Sequence, residues 1–586
     1  MSESLRNAIL TQNPTSEQVD AIFAEGSDYL LRSSPGSGKT WTSCRRFLWR
    51  AANWSHQEGG IALMSFTNVA VNEFVSETKE LGYGGLLESP NYFGTFDSFA
   101  ERFIIGPFGH LISETASRPE LLRHPPPHFY MLKSLQIERW VNSRPDHYYA
   151  WNLFPYPTKA GTRYKYETKN GLKEIDHNGT SQILELLRYG CYTHKLRVYW
   201  ACQILQRYPT IAAVLARKFP EIIVDEAQDC NPWLLVLLHN LRKNGSAITL
   251  VGDPDQCIFE FSLAESTTLT SLKKKWGLEE LPLSRSFRCK DHIASAVKHI
   301  GTNTQFVGCG PKQHNLHGAY YTVRNGEDYQ GHVASFGKLL HQSGIPDSRA
   351  AILCRGHKQI SKILGQLHIG DFNKLTFKLA KAAHLRDDKR EYAKAKQLVD
   401  QVVIELCGDA EVLLEYQSTT ANGPSHGVNG VIWNYLKDPK RLPPITMAGD
   451  NWVNETQNGI CLLIEELGLD CPKNLKRRIN KRGLKQSRKS EPLFEPSKIE
   501  TNIRLATIHK VKGESIDAVL VTGSKGFWDN VVASVRDGNN REERRIAYVG
   551  MTRARDVAVL SLPKSHFDVY GNFWIEHGFS NLSIQS

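Results

Sequence analysis

The sequence predicts an α/β protein with two parallel-sheet domains, each interrupted by an inserted, mostly helical subdomain. Three observations predict this fold class. Apolar strand-like runs alternate with helical segments in two series, a Gly/Ser-rich loop follows the first run, and the alternation stops twice. A chain of 586 residues is too long for one hydrophobic core, which agrees with several domains.

The Gly/Ser-rich loop Ser33–Thr40 lies between an apolar run, Asp28–Leu31, and a helical segment that begins at Trp41. Small residues let backbone N–H groups surround a phosphate at the positive end of a helix. Lys39 is placed to reach the β- and γ-phosphates, and the Thr40 hydroxyl to bind Mg²⁺. The phosphate-binding residues expected from this loop are Ser34, Pro35, Gly36, Ser37, Gly38, Lys39 and Thr40.

The composition favours an intracellular protein with a polyanionic partner. Lys and Arg outnumber Asp and Glu by 72 to 61, and the net charge of +11 favours nucleic acid, although a generally basic protein has the same balance. The 11 cysteines are scattered without a C-x-x-C pair, so we expect a reducing, cytoplasmic location and no disulfide framework or zinc site. No signal peptide or membrane partner is expected, because the most apolar helix candidate, Leu234–Leu241, is short.

Two segments flank the loop in sequence. Ahead of it, Asn13–Ile22 predicts a helix capped by Thr15 or Ser16, with Gln18 close enough to reach an adenine edge. After it, Gly60–Ser65 predicts a buried strand, and polar residues follow at the carboxyl end, where open α/β sheets bind ligands. A further strand and helix are expected from Tyr92 to Phe103.

Two later strands of the first series end in polar residues. Glu221–Val224 leads directly to Asp225 and Glu226, which we expect to hold Mg²⁺ and to polarise the attacking water. An acidic loop is the simpler interpretation, but the phosphate loop in the same chain weakens it. The strand that begins at Ala247 leads to Gln256, a candidate sensor of the γ-phosphate.

Phe259 and Phe261 follow Gln256 and alternate, so both side chains are expected on one side. Such a pair is typical of a base-stacking platform or of core residues, and the residues by themselves favour the core.

The second series begins near Leu281 and predicts the following elements: Leu283–Arg288, a helix Asp291–Ile300, strands Ala319–Thr322, Ala350–Cys354 and Ala518–Val521, a basic helix Arg541–Arg555 and a strand Val557–Leu562. The first interruption is rich in His, Pro and aromatic residues, and its histidines have no metal-ligand spacing. The second ends in a basic run from Lys473 to Lys489, which suits either a solvated surface or phosphate contacts.

With these segments in order, the chain resembles the UvrD/Rep/PcrA-type superfamily 1 DNA helicases. The motifs that carry the resemblance are Pro14–Ile22, Ser33–Thr40, Ser65–Ala70, Gly94–Phe99, Val224–Asp229, Val251–Phe261, Leu283–Arg288, Ala351–Arg355, Thr507–Gly513 and Tyr548–Arg555. The resemblance implies two RecA-like domains, with ATP between them and single-stranded DNA across their top. It also implies the boundaries: motor domain 1A at 1–105 and 193–280, insert 1B at 106–192, motor domain 2A at 281–369 and 500–586, and insert 2B at 370–499.

The resemblance also implies roles for single residues. Gln18 would read adenine and Phe287 would stack on it; Gln256 would sense the γ-phosphate; Arg288 and Arg553 would be arginine fingers. Lys39, Thr40, Asp225 and Glu226 match the set inferred from the residues. The positions that match DNA contacts are Phe66, Thr95, Phe259, Phe261 and His509, and the resemblance favours stacking for the two alternating phenylalanines.

Five positions depart from the family pattern. Trp41 replaces an arginine beside the adenine, which leads us to expect an aromatic sandwich with Phe287. Asp97 replaces a histidine, Ser262 replaces a basic residue, and Glu514 stands one position before the family's acid. The first glycine of the usual phosphate-loop pattern is a serine.

Together these observations predict an ATP- and Mg²⁺-dependent 3′→5′ DNA helicase or translocase acting on single-stranded DNA or single/double-strand junctions. The alternative is a DNA-stimulated ATPase that senses DNA ends or nucleotides and regulates a partner nuclease without processive unwinding. The shortness of the chain is similar to that of helicase-like partners of nucleases in anti-phage systems such as Gabija. DNA repair is the other role considered.

Overall fold

The computed structural model describes residues 2–26, 28–54, 59–66, 68–115, 118–122, 129, 132–141, 144–168, 171–258, 268–326, 328–363, 374–387, 390–407, 428–444, 446–447, 449–480 and 502–582. These residues divide into two compact units. The first unit comprises Met1–Arg355 and Ile503–Ser586, and the second comprises Gly356–Asn502.

The first unit contains two six-stranded sheets in which every described strand pair is parallel. The first sheet has the order β13-β1-β12-β11-β2-β3. Its strands are β1 (Tyr29–Ser33), β2 (Ile61–Ser65), β3 (Tyr92–Thr95), β11 (Glu221–Val224), β12 (Ala247–Gly252) and β13 (Glu279–Leu283). Strand β13 pairs with β1 over its full length, so this sheet runs past the boundary expected after residue 280.

The second sheet has the order β16-β15-β17-β18-β14-β19 and is again parallel. Its strands are β14 (Gly318–Arg324), β15 (Ala350–Cys354), β16 (Arg504–Thr507), β17 (Ile516–Thr522), β18 (Ala554–Pro563) and β19 (Ser580–Asn581). The central strands β15 and β17 are buried at every position and mostly apolar, as expected of parallel strands covered by helices on both faces. The predicted α/β class with two parallel sheets is confirmed.

Helices connect these strands and cover both sheets. In the first unit the longer ones are Ser2–Leu10, Ser16–Phe23, Lys39–Ala52, Asn68–Glu80, Thr180–Arg188, His194–Arg207, Pro209–Lys218, Pro232–Lys243, Thr268–Trp276, Asp291–Val297, Gln330–Gln342, Lys525–Arg536, Glu542–Met551 and Lys564–Glu576. Shorter helical turns include Phe96–Ala100, Glu101–Ile105, Gly106–Phe108 and His110–Ser113. Within the described ranges, no helix is long and apolar enough to cross a membrane.

The insert between residues 106 and 192 is not mostly helical, so that prediction is wrong. It contains β4 (Glu120–Leu121), β5 (Gln136–Val141), β6 (Arg144–Tyr149), β7 (Leu153–Thr158), β8 (Gly161–Thr168), β9 (Gly171–Ile175) and β10 (Cys191–Tyr192). Strands β5 and β6 form one antiparallel hairpin, and β7, β8 and β9 form an antiparallel sheet. Two prolines in β7 obscured its alternation in the sequence, and β7 satisfies its backbone by pairing with β8.

The second unit is helical where it is described, with the helices His357–Ile363, Lys374–Asp387, Tyr392–Cys407, Val428–Lys437, Gly449–Glu466 and Leu475–Arg478. A disulfide joins Cys461 and Cys471, whose Cα atoms are 5.4 Å apart, which the scattered cysteines did not predict. Within the basic run, the half-buried Arg478 donates to the backbone carbonyl oxygens of Glu405 and Leu406. Arg478 therefore caps the end of a helix rather than extending into solvent.

Candidate nucleotide-binding site

The phosphate loop connects β1 to the helix that begins at Lys39, as the sequence predicted. Gly36 and Gly38 have φ values of +70° and +75°, which is the left-handed region that favours glycine. A Cβ atom at Gly36 would also lie 2.6 Å from the Cβ of Arg288. The two glycines therefore allow both the curl of the loop and the close approach of the segment that follows β13.

Four predicted residues meet where β1 and β11 end. Thr40 Oγ1 donates to Asp225 Oδ2 at 2.7 Å, and Lys39 Nζ lies 4.0 Å from Glu226 Oε1. Burial, and then the charge of Glu226, raises the pKa of Asp225 to about 7. Burial alone would raise the pKa of Glu226 as well, but the charges of Lys39 and Lys512 outweigh it and lower that pKa. Asp225 thus has the environment of a cation ligand, and Glu226 that of an ionised base.

The donor set at Asp225 fits Mg²⁺. Asp225 Oδ1 is buried and has no hydrogen-bond partner among the described residues. Asp225 Oδ2 accepts the hydrogen bond from the Thr40 hydroxyl. Carboxylate and hydroxyl oxygens are the ligands that Mg²⁺ prefers, and a divalent cation would offset the cost of burying this carboxylate.

Gln256 connects the first sheet to Arg553, which follows the helix Glu542–Met551. Its Nε2 donates to Asp253 Oδ2 at 2.6 Å, and its Oε1 accepts from Arg553 Nη2 at 3.2 Å. Arg553 is fully buried and also donates from Nε to Val549 O at 3.0 Å. A group that touches Gln256 is therefore one hydrogen bond from the second sheet.

The segment after β13 packs directly on the phosphate loop. Phe287 N donates to Gly36 O at 2.7 Å, and Ser286 Oγ donates to Pro35 O at 2.8 Å. The Phe287 ring nevertheless stays 51% exposed. A half-exposed aromatic ring beside a phosphate loop is available to stack on a bound base.

Arg288 and Arg553 share the cleft between the sheets. Arg288 Nη1 donates to the carbonyl oxygen of Thr552, and Arg553 Nη2 donates to the hydroxyl of the same residue, both at 3.4 Å. Burial lowers the pKa of both guanidinium groups, and for Arg553, burial followed by the charge of Arg288 lowers it to about 9. An anion between the two groups would relieve their repulsion, so the cleft is suited to a phosphate.

Gln18 and Trp41 lie beside Gly38, where the base of a nucleotide is expected. Thr15 caps the helix of Gln18 in a capping box, and Gln18 Nε2 donates to Ser37 O at 3.2 Å. The Trp41 side chain is partly buried, and the guanidinium carbon of Arg45 lies 4.4 Å from its ring centre. A Cβ at Gly38 would be 3.8 Å from Trp41 Cβ and 3.9 Å from Phe287 Cδ2. The structure therefore brings the three candidate adenine contacts around one glycine.

Three of the predicted DNA contacts are described. Phe66 is partly buried and its ring centre lies 5.1 Å from that of Phe96. Thr95 caps the short helix that follows it, and His509 Nε2 lies 3.1 Å from Ile258 O. These residues lie near the ends of β2, β3 and β16. The predicted contacts Phe259 and Phe261, like Ser262, lie outside the described residues.

Two departures from the family pattern have structural partners. Asp97 Oδ2 lies 3.0 Å from Nη1 of the buried Arg197. Glu514 forms a bidentate pair with Arg504 at 2.6 and 2.9 Å, and the next residue, Ser515, accepts a hydrogen bond from Arg288 Nε at 2.8 Å. The serine at the family's acidic position therefore orients an arginine of the cleft.

Sequence reasoning missed two connections between the sheets. Lys512 Nζ donates to both carboxylate oxygens of Asp229, at 2.7 and 2.6 Å, although burial raises the pKa of Asp229 to about 6. Asp255 is buried and accepts from Thr302 N at 2.7 Å and from Asn540 Nδ2 at 3.1 Å. In the sequence, Asp229 and Asp255 were marked only by their positions inside motifs. Their partners lie 47 to 285 residues away along the chain, and contacts over such separations leave no local pattern.

Comparison with known proteins places both sheets in one family. Residues 14–146 and 164–277 match the model of the UvrD/REP helicase N-terminal domain, and residues 464–565 match that of the UvrD-like helicase C-terminal domain. The two models match in the order that the motifs predicted, and residues 278–463, which contain Leu283–Arg288 and Ala351–Arg355, lie outside both matches.

Individual relatives are distant. The ATP-dependent DNA helicase Rep of Buchnera aphidicola is 22% identical, over 92% of this chain and 91% of that protein. The ATP-dependent DNA helicase UvrD1 of Mycobacterium leprae is 25% identical, and DNA helicase II of Escherichia coli is 23% identical. These alignments cover 48% and 49% of this chain and only 39% and 40% of those two relatives. The two family matches occur in order and contain the phosphate loop, the acid pair and Arg553, so this chain belongs to the UvrD/Rep superfamily 1 helicases, a family of ATP-dependent DNA helicases.

Proposed function

We propose that this chain hydrolyses ATP between its two parallel sheets and couples the hydrolysis to 3′→5′ movement along single-stranded DNA. The observation that carries the proposal is the contact of Gln256 with Arg553, because it joins the candidate γ-phosphate sensor of one sheet to an arginine of the other. The printed names of the relatives support DNA as the substrate, and the direction follows from the family resemblance.

The proposed roles in hydrolysis follow from the site. Lys39 and the N–H groups of the phosphate loop hold the β- and γ-phosphates, and Glu226 orients the attacking water and accepts its proton. Mg²⁺ at Thr40 and Asp225 would neutralise phosphate charge. Arg288 and Arg553 stabilise the charge that develops in the transition state, where water is excluded and electrostatic interactions are strong.

We further propose that the adenine lies between Trp41 and Phe287, with Gln18 as its polar contact. The contact between Arg45 and Trp41 supports this assignment. The guanidinium covers one face of the indole and fixes the ring, so the other face can stack on a base. Base stacking on aromatic rings tolerates every base, so selection for adenine would rest on Gln18.

The coupling to DNA is proposed to run through residues near the same strand ends. Phe66 follows β2 and Thr95 is the last residue of β3 in the first sheet. His509, which follows β16 of the second sheet, contacts Ile258, two residues after Gln256. Hydrolysis of the γ-phosphate bond would thereby be transmitted to the proposed DNA-contacting positions on both sheets through a few neighbouring residues.

Two assays on the purified chain test this function. ATP hydrolysis is measured with and without single-stranded DNA, and strand displacement is measured on duplexes with a 3′ or a 5′ single-stranded tail. We expect DNA to stimulate hydrolysis and displacement to require a 3′ tail. The Glu226→Gln variant is the matched control, because it should bind ATP and DNA but should neither hydrolyse ATP nor displace a strand.

Other outcomes separate the alternatives. Hydrolysis that does not respond to DNA, or displacement from 5′ tails, would contradict the proposal. DNA-stimulated hydrolysis without displacement would favour the DNA-sensing ATPase that regulates a partner nuclease. The anti-phage role stays a prediction, since nothing in the comparisons supports it.

A further inference from the structure

The two segments that carry the candidate arginine fingers run side by side. We call Arg288–His292 the first arginine segment and Thr552–Asp556 the second arginine segment. Hydrogen bonds join the two segments at three successive places: Arg288 Nη1 to Thr552 O at 3.4 Å, Lys290 N to Arg555 O at 3.1 Å, and His292 Nε2 to Asp556 O at 2.8 Å. Because the contacts advance in the same direction along both segments, a shift of one segment along the other would break all three.

His292 is a histidine whose presence packing alone does not explain. The backbone oxygen of Asp556 can only accept a hydrogen bond, so Nε2 of His292 carries the proton. The other ring nitrogen, Nδ1, is buried and has no hydrogen-bond partner among the described residues. Burial lowers the pKa of His292 below its ordinary value, so the ring is neutral at neutral pH. A buried, unpaired ring nitrogen costs free energy that an apolar side chain would avoid, which indicates that the Nε2 contact has a use.

The acceptor of this hydrogen bond belongs to a strand that is held on both sides. Asp556 lies in β18, which pairs with β14 on one side and with β17 on the other. His317, which directly precedes β14, places its Nδ1 3.5 Å from Asp556 Oδ1. The carbonyl oxygen that His292 contacts is therefore fixed within the second sheet, and the contact attaches the first arginine segment to a rigid element.

Arg288 lies between this attachment and the phosphate loop. Phe287, one residue before Arg288, donates from its backbone N–H to Gly36 O at 2.7 Å, and His292 follows Arg288 by four residues. Arg553 directly precedes β18, the strand to which His292 is bonded. The His292 hydrogen bond therefore fixes the backbone that carries Arg288 relative to the backbone that carries Arg553. Charge stabilisation by two such groups depends on their placement to a fraction of an ångström.

We propose that His292 is a positioning residue for ATP hydrolysis, whose hydrogen bond to the Asp556 carbonyl oxygen holds Arg288 in register with Arg553. This inference rests on the proposed function and deepens it with a residue outside the motifs that carry the family resemblance. Because residues of the first sheet are proposed to hold the phosphates, loss of the bond should slow the chemical step and leave nucleotide binding in place.

The test separates the hydrogen bond of His292 from the bulk of its side chain. His292→Leu removes the donor, whereas His292→Gln keeps an N–H group that can donate to the same carbonyl oxygen. The matched control is His299→Leu, because His299 is exposed just beyond the helix that contains His292. DNA-stimulated hydrolysis by each full-length variant gives the turnover number and the KM for ATP. Equilibrium binding of ADP, alone and with aluminium fluoride, compares the ground state with an analogue of the transition state.

We expect His292→Leu to lower the turnover number by about 10- to 100-fold, because a misplacement of about 1 Å at a catalytic group can cost about 10²-fold. The affinity for ADP with aluminium fluoride should fall by a similar factor. The KM for ATP and the affinity for ADP alone should change little, because the lost contribution is made only in the transition state. His292→Gln should recover most of the turnover, and His299→Leu should behave as the unchanged protein.

Four results would overturn the inference. They are an unchanged turnover number in His292→Leu, an equal loss of affinity for ADP with and without aluminium fluoride, no recovery in His292→Gln, or an equal loss in His299→Leu. Thermal unfolding of every variant checks that the sheet is intact. If His292→Leu fails to fold, His292→Phe takes its place, because it keeps a planar ring and lacks the donor. Normal DNA-stimulated hydrolysis in the donor-free variant rejects the role of His292 alone, whereas absence of hydrolysis in the unchanged protein rejects the proposed function.

Discussion

The two six-stranded sheets have the same parallel architecture but contribute different chemistry to the cleft. In the first sheet, β1, β11 and β12 each lead into residues that we propose contact a nucleotide: the phosphate loop, the acid pair and the segment of Gln256. In the second sheet the contributions are two arginines, one ahead of the helix Asp291–Val297 and one after the helix Glu542–Met551.

This difference shows how one nucleotide site can be shared between two sheets. The residues proposed to hold the phosphates and the water follow strands of the first sheet, and the arginines proposed to neutralise transition-state charge contact residues beside the second sheet. Catalysis then requires both sheets to be in place, whereas binding requires mainly the first. Substitutions in the two sheets should therefore fail in different ways.

Arg288→Ala tests the contribution of the second sheet and should have the largest effect. An arginine that acts on transition-state charge is worth about 10³- to 10⁵-fold in turnover, and we expect a loss of that order with nucleotide affinity largely kept. Steady-state hydrolysis beside equilibrium nucleotide binding measures the two quantities. Arg285→Ala, an exposed arginine three residues earlier, is the control and should behave as the unchanged protein.

Glu226→Gln tests the first sheet at the water and should lower turnover by about 10²- to 10⁴-fold, because it removes the general base. ATP should stay bound and uncleaved, which filter retention of labelled nucleotide measures. Lys39→Ala, on the same sheet, should instead lose ATP binding, since its charge holds the phosphates. Loss of binding in a folded Glu226→Gln protein would contradict the assignment.

Lys512→Met tests the connection between the sheets rather than the chemistry. It leaves the largely buried Asp229 carboxylate without its cation, and we expect a loss of about 3 kcal/mol in the free energy of unfolding. Adding Asp229→Asn should restore part of the loss, because the double variant no longer buries an unpaired charge. Equal and additive losses in a denaturation series would show that the pair does not couple the sheets.

Trp41→Ala tests the proposed stacking of adenine between Trp41 and Phe287, and we expect it to have the smallest effect. Losing one stacked ring is worth about 1–3 kcal/mol, so nucleotide affinity should fall while the thermal transition stays in place. Trp41→Arg should keep hydrolysis, and the change in tryptophan fluorescence on ATP binding should vanish in Trp41→Phe. A fluorescence change that persists in that variant, or simple unfolding of Trp41→Ala, would reject the aromatic sandwich.

Much of the first sheet and of the nucleotide site was predictable from local patterns. The phosphate loop, the strand that delivers Asp225 and Glu226, and the cap at Thr15 are all decided by residues within a few positions of one another. The alternation of apolar strands and helices likewise predicted two parallel sheets. Local sequence carries this information because turns, caps and buried strands each have a characteristic residue pattern.

Other features depend on contacts that no local pattern records. The β-rich insert looked helical because prolines and aromatic residues hid its alternation, and only the pairing of β7 with β8 identifies it. Strand β13 belongs to the first sheet because it pairs with β1, about 250 residues earlier in the chain. The Cys461–Cys471 disulfide depends on the local fold at the end of a helix.

By itself the sequence determined the candidates for phosphate, metal and base contacts, because those functions need particular side chains at short spacings. Only the tertiary structure decided how the two halves meet. Gln256 contacts Arg553, and Asp229 contacts Lys512. The physical reason is that these contacts join residues far apart in the chain, whose proximity is set by packing and not by any repeat in the sequence.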